Sequence, residues 1–105
     1  MRVHITGEGV QIDQTLHQFA ERRLALALGR FGSRVRRVSV RFWRGEGPTR
    51  AAARCRLGIA LASPPPLVVE REGSCVHVAL EGAAERAERA VERRLAARQA
   101  LAGRP

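Results

Sequence analysis

Residues 34–43 read RVRRVSVRFW, and from Arg37 onward every second side chain is apolar: Val38, Val40 and Phe42 on one side of an extended chain, Arg37, Ser39, Arg41 and Trp43 on the other. Neighbouring side chains of a strand point to opposite faces, so this run is a strand with one dry and one wet face. A sheet built from such strands needs a covering layer on one side only. AAARCRLGIAL at 51–61 repeats the pattern, with Ala53, Cys55, Leu57 and Ile59 inward and Arg54 and Arg56 outward. RVHIT at 2–6 places Val3 and Ile5 on one face, and LVVERE at 67–72 is a short fourth strand after the proline turn SPPP.

The covering layer is also legible. IDQTLHQFAERRLALALGRF at 12–31 carries Asp13 as an N-cap and Leu16, Phe19, Ala20, Leu24, Ala27 and Phe31 at helical spacing, which predicts one helix reaching Phe31. EGAAERAERAVERR, from residue 81, is a second helix. Its start is open on local grounds, because Val76 and Val78 flanking His77 read equally well as strand. The order strand, helix, three strands, helix gives an α+β fold: a β-α-β-β-β-α two-layer sandwich, its four-stranded sheet carrying both helices on one face. The helical crossover makes the first two strands parallel and the rest a meander. Gly and Pro clusters punctuate the chain, notably RGEGPTR at 44–50 and GRP at the end.

With 105 residues the expectation is one domain. Nineteen basic against ten acidic residues leave a net charge of +9, which points to a polyanionic partner, nucleic acid before membrane. Every basic residue is arginine; codon bias in a GC-rich genome produces the same replacement, so the preference says little about function. MRVHITGEGV lacks the apolar core of a signal peptide, and no run approaches the ~20 apolar residues of a membrane span, so a cytoplasmic location is expected. Cys55 and Cys75 lack CxxC spacing, and His4, His17 and His77 are scattered, so neither a disulfide nor a metal site is advertised. Cys55 reads as a small core residue. Cys75 and His77 could be imagined as a nucleophile and base, but no third orienting group accompanies them.

The second helix sorts its charges by sign. At about 100° per residue, Val76, Leu80, Ala83, Ala84, Ala87, Ala90 and Val91 share one face. Glu81, Glu85, Glu88 and Glu92 lie together beside it, and Arg86, Arg89 and Arg93 lie on the opposite flank. Arg94 and Arg98 continue the apolar azimuth, which predicts a helix that overhangs the sheet and carries arginine beyond it. On the first helix Arg23 and Arg30 share a flank, with Arg22 nearby. Adjoining arginine flanks would make a cleft of cations; the alternative is a rim of arginines whose stems cover apolar edges.

VHITGEGVQIDQTLHQFAERRL and CVHVALEGAAERAERAVERRL are similar to the opening strand, Ile-Thr-Gly turn, first helix and last helix of the short ribosome hibernation-promoting factors and ribosome-associated inhibitor proteins. Ile5, Thr6, Gly7, Val10, Ile12, Leu16, Phe19, Leu24 and Phe31 fall in that family's pattern. CVHVALE occupies the place of an Asp-Met/Leu-Tyr-Ala-Ala-Ile-Asp motif that begins the last helix, with Cys75 for the first Asp, His77 for Tyr, Ala79 retained, Leu80 for Ile and Glu81 for the second Asp. Leu26 and Ala27 stand where the first helix usually has Lys and Leu. The resemblance thus implies a helix from about Cys75, with Ser74 as its N-cap.

It further implies a stress or stationary-phase factor that occupies the messenger and transfer RNA channel of the small ribosomal subunit and silences translation sterically. Such a factor needs no cofactor, small-molecule substrate or membrane, makes or breaks no bond, and is monomeric off the ribosome. The binding role would fall on Arg22, Arg23, Arg30, Arg86, Arg89 and Arg93, with Arg94 and Arg98 as additions and Arg41, Arg54 and Arg56 less directly involved. Longer family members add a domain that pairs ribosomes; a chain ending at Pro105 is expected to bind ribosomes singly. With Trp43 and three phenylalanines as the only aromatics, recognition by shape and phosphate is expected over base stacking, and Trp43 at a strand end is expected to cap the core edge. Two alternatives stay open: a divergent relative that binds other structured RNA or a protein partner, and a small enzyme using Cys75 and His77.

Overall fold

The computed structural model describes residues 1–45 and 52–103. Strands β1 (Arg2–Glu8), β2 (Val35–Arg44), β3 (Ala53–Leu61) and β4 (Leu67–Gly73) form one sheet in the order β1-β2-β3-β4. β1 and β2 run parallel, joined through helix α1 (Gln14–Leu28), and β2, β3 and β4 form an antiparallel meander. Helix α2 (Val76–Ala102) closes the chain over β3 and β4. The α+β sandwich read from the periodicity is the fold observed. Residues 46–50 of the glycine-rich RGEGPTR stretch, Ala51 of the third predicted strand and the last two residues of GRP lie outside the described residues.

The inward rows meet in one core. Val38, Val40 and Phe42 of β2, Cys55, Leu57 and Ile59 of β3, Leu24 and Leu28 of α1, and Leu80, Ala83, Ala84, Ala87 and Val91 of α2 are each buried. The alanine-rich stripe of α2 lets that helix sit close to the sheet, because small side chains leave room for the larger ones from β2 and β3. Phe31 is buried too, but by a different route from the one expected. α1 stops at Leu28, and a 3-10 segment at Gly29–Arg34 bends at Gly32, whose φ of 58° lies in the region glycine adopts without a steric penalty. That bend turns the chain directly into β2.

Asp13 caps α1 as expected, its carboxylate accepting from the backbone N–H of Leu16 at 2.8 Å. At α2 the cap is Cys75, extended at φ −149° and ψ 172°, with no side-chain hydrogen bond to the helix; Ser74 stands one residue too early to serve. The β-propensity of Val76 and Val78 loses here to a packing constraint. A Cβ on Gly73 would stand 2.5 Å from the Ala79 backbone nitrogen, so the end of β4 and the first turn of α2 are in backbone contact.

Candidate nucleic-acid interface

Each flank of α2 has a different neighbour. The glutamate flank faces α1: Arg23 Nε donates to Glu81 Oε2 at 3.0 Å, and Arg30 reaches Glu88 at 3.4 Å and Glu92 at 3.1 Å. The cleft of cations imagined between the helices is therefore not formed. Sequence periodicity fixes the angle between stripes on a helix but not which stripe meets a neighbour. Two of the expected RNA-binding residues, Arg23 and Arg30, spend their guanidinium groups on this interhelical seam. One signal was available: Arg23 and Arg30 are seven apart, as are Glu81 and Glu88, and two parallel helices can pair both at once.

The arginine flank faces away from α1, along the β4 edge. Arg86, Arg89 and Arg93 are exposed and make no ion pair among the described residues. Sequence reasoning missed a fourth member of this ridge. Arg71 of β4 pairs with Cys55 in the register and so leaves the sheet on the helix side, where its stem lies over Gly82, with Cγ 3.5 Å from the place a Cβ would take. Gly82 shares the azimuth of Arg86, Arg89 and Arg93, and its missing side chain is the space Arg71 occupies. The signal was an inward-register arginine on an edge strand.

Arg94 and Arg98 do not overhang freely. Arg94 Nη1 donates to the Pro65 carbonyl at 2.7 Å, and Arg98 Nη2 donates to the Pro64 carbonyl. They clip the last turns of α2 to the proline turn between β3 and β4. Arg22 is exposed beside Phe19 and Leu26; Leu26, 79% exposed, occupies a solvent position of α1, whereas Ala27 next to it is buried.

Around Trp43, on the wet face of the sheet, arginines and glutamates pair with one another. Arg41 bonds Glu8 at 2.8 Å, Arg56 bonds Glu70 at 3.0 Å, and Arg54 bonds Glu72 at 3.1 Å. Trp43 is half-buried within this network, its ring centroid 5.3 Å from the Arg41 guanidinium and 5.6 Å from that of Arg56. It stacks with cations on the open face and does not cap the core edge, because its register partner Arg54 fixes it on the wet side.

The thiols occupy unlike surroundings. Cys55 is buried, and burial pushes its thiol up to about 12. Cys75 is exposed and lines a pocket of about 320 Å³ with Ser74, Arg44 and Gln11. The His77 ring sits edge-on against Phe19, 4.7 Å between centroids, and does not line that pocket. Cys75 and His77 are thus not brought together as a nucleophile and its base. Among the described residues no cluster of three or more His, Cys, Asp or Glu side chains could hold a metal ion, and no helix is long and apolar enough to cross a membrane.

Comparison with known proteins extends over nearly all of this architecture. The family described as sigma 54 modulation protein / S30EA ribosomal protein matches residues 3–99. Among solved structures, the fold is similar to the N-terminal domain of Thermus thermophilus Protein Y, with a TM-score of 0.76, 20% identity, and coverage of 89% of this chain and 98% of that one. It is equally similar to a ribosomal subunit interface protein from Coxiella burnetii, with a TM-score of 0.77, 15% identity, and coverage of 91% and 99%. No match was found among curated proteins.

Proposed function

The chain belongs to the sigma 54 modulation protein / S30EA ribosomal protein family, and from that membership we propose that it is a cytoplasmic ribosome-binding factor which occupies the messenger and transfer RNA channel of the small subunit. One observation carries the reading: in a member of this family, Arg86, Arg89 and Arg93 stand exposed on one flank of α2, and no carboxylate among the described residues neutralises them. Guanidinium groups in a row meet phosphate oxygens bidentately and displace counterions as they do so. Arg71 extends the row onto the sheet edge, and Arg22 adds an exposed cation on α1.

The mechanism is occlusion. The ridge sits on a helix packed against the core through Leu80, Ala84, Ala87 and Val91, so its cations are held on a rigid support. A rigid basic body lodged among ribosomal RNA phosphates excludes the nucleic acids that would use the same space, and no chemical step is required. Arg23, Arg30, Arg94 and Arg98 support the reading indirectly, by fixing α2 against α1 and the proline turn.

Sedimentation with purified small subunits at rising salt tests the proposal. The native chain should pellet with the subunits and inhibit translation in a reconstituted system. Arg86→Glu/Arg89→Glu/Arg93→Glu should lose both while melting as the parent does. Pelleting unaffected by that triple reversal would remove α2 as the binding surface, and attachment to structured RNA in general but not to subunits would point to a different RNA partner.

A further inference from the structure

Cations on the wet face of the sheet are unevenly compensated. Arg41, Arg54 and Arg56 are matched by Glu8, Glu70 and Glu72, but at the opposite corner Arg2, Arg36 and Arg37 are exposed and make no ion pair among the described residues. This corner is a product of the backbone. The β2–β3 register shifts between Val35 and Arg37, leaving Val35 and Val38 both buried and Arg36 and Arg37 both exposed. Unbroken alternation from Val38 would have sent Arg36 inward and Val35 out to solvent. A bulge of this kind re-aims side chains. Arg2 is the register partner of Arg37 across the parallel β1–β2 pair, so the two leave the same face side by side. Like charges directly opposite one another are destabilising, and the neighbours on this face, His4 and Ser39, supply no anion.

We propose that Arg2, Arg36 and Arg37 form a second RNA-backbone contact, which grips a strand segment other than the one held by Arg71, Arg86, Arg89 and Arg93. The proposal rests on the ribosome-binding reading and gives it geometry. The α2 ridge lies in the helix layer at the β4 edge; the new corner lies on the bare face at the β1–β2 edge, diagonally across the sandwich. One continuous strand segment cannot lie along both, whereas a body seated between two RNA walls touches both at once. The corner presents three guanidinium groups and, among the described residues, no Phe, Tyr or Trp ring, which suits phosphate better than a protein hot spot.

The test uses Arg2→Gln/Arg36→Gln/Arg37→Gln with two probes, purified small subunits and a short RNA duplex. Because all three side chains are exposed, the variant should fold, and relief of repulsion should leave its melting temperature unchanged or raised. Affinity for small subunits should fall roughly tenfold and the log–log salt slope by about three, one for each lost phosphate contact, whereas the short duplex, which reaches one site at a time, should fall from two bound per chain to one. The matching triple Lys variant should recover most of the affinity. Unchanged affinity and slope on subunits that the parent chain binds would overturn the corner while leaving the ribosome reading intact. Weaker subunit binding with an unchanged slope would mark a contact to protein and also overturn it. Failure of the parent chain to bind subunits would instead overturn the ribosome reading, and duplex stoichiometry would then decide the corner alone, since an equal number of duplexes bound by parent and variant would overturn it.

Discussion

Cys55 shows what the core asks of a single position. Its side chain is fully buried between the sheet and the helices, where a thiolate would be stripped of water, and its pKa rises to about 12 for that reason. With the folded-state pKa above the unfolded value, the thiol's contribution to stability is complete below about pH 9 and declines as pH rises toward 12. Native protein at pH 8 should therefore react with a thiol reagent at Cys75 alone, and denatured protein at both cysteines; mass spectrometry after labelling distinguishes the two. Gly73 is constrained by space. Any Cβ there meets the Ala79 nitrogen at 2.5 Å and the Val78 carbonyl carbon at 2.9 Å, so Gly73→Ala must push α2 off the end of β4. A loss of about 1–3 kcal/mol in denaturant unfolding is expected, the range typical of overpacking.

At the scale of elements, the strands were readable because an alternation of arginine with valine or leucine has only one solution in a half-buried sheet. α1 was readable from Asp13 and the spacing of Leu16, Ala20 and Leu24, but its end was not. Phe31 fits helical spacing and is buried, yet it arrives there through a 3-10 bend at Gly32, and periodicity alone does not separate the two paths. The long C-terminal reach of α2 poses a related question, because burial ends at Val91 with Leu95 only partly covered. What holds the following turns is the pair of bonds from Arg94 and Arg98 to the carbonyls of Pro65 and Pro64. Arg94→Ala/Arg98→Ala should raise amide exchange across residues 95–102 while lowering global stability by less than about 1 kcal/mol per bond, since exposed hydrogen bonds compete with water. Exchange unchanged in those turns would mean that helical hydrogen bonds alone suffice to hold them.

Over the whole molecule the question is whether +9 acts as a diffuse field or through a place. Composition announced the charge and helical phase separated α2's acids from its bases, so the ridge was legible. Its neighbours were not: pairing of Arg23 and Arg30 with the acidic flank, the arrival of Arg71 over Gly82, and the bulge that exposes Arg36 beside Arg37 all depend on contacts between segments distant in the chain. These contacts divide equal charges into unequal ones. Arg86→Gln/Arg89→Gln and Arg23→Gln/Arg30→Gln each lower the net charge by two, so a diffuse field would weaken small-subunit binding to the same degree in both. If the α2 ridge is the contact, the first pair should cost on the order of tenfold in affinity and about two units of salt slope. The second removes guanidinium groups already committed to Glu81, Glu88 and Glu92, and its main effect should be a small loss of stability, within about 1 kcal/mol for each partly exposed ion pair. Binding isotherms at three or more salt concentrations separate these outcomes, and equal slopes for the two variants would refute the ridge in favour of the field.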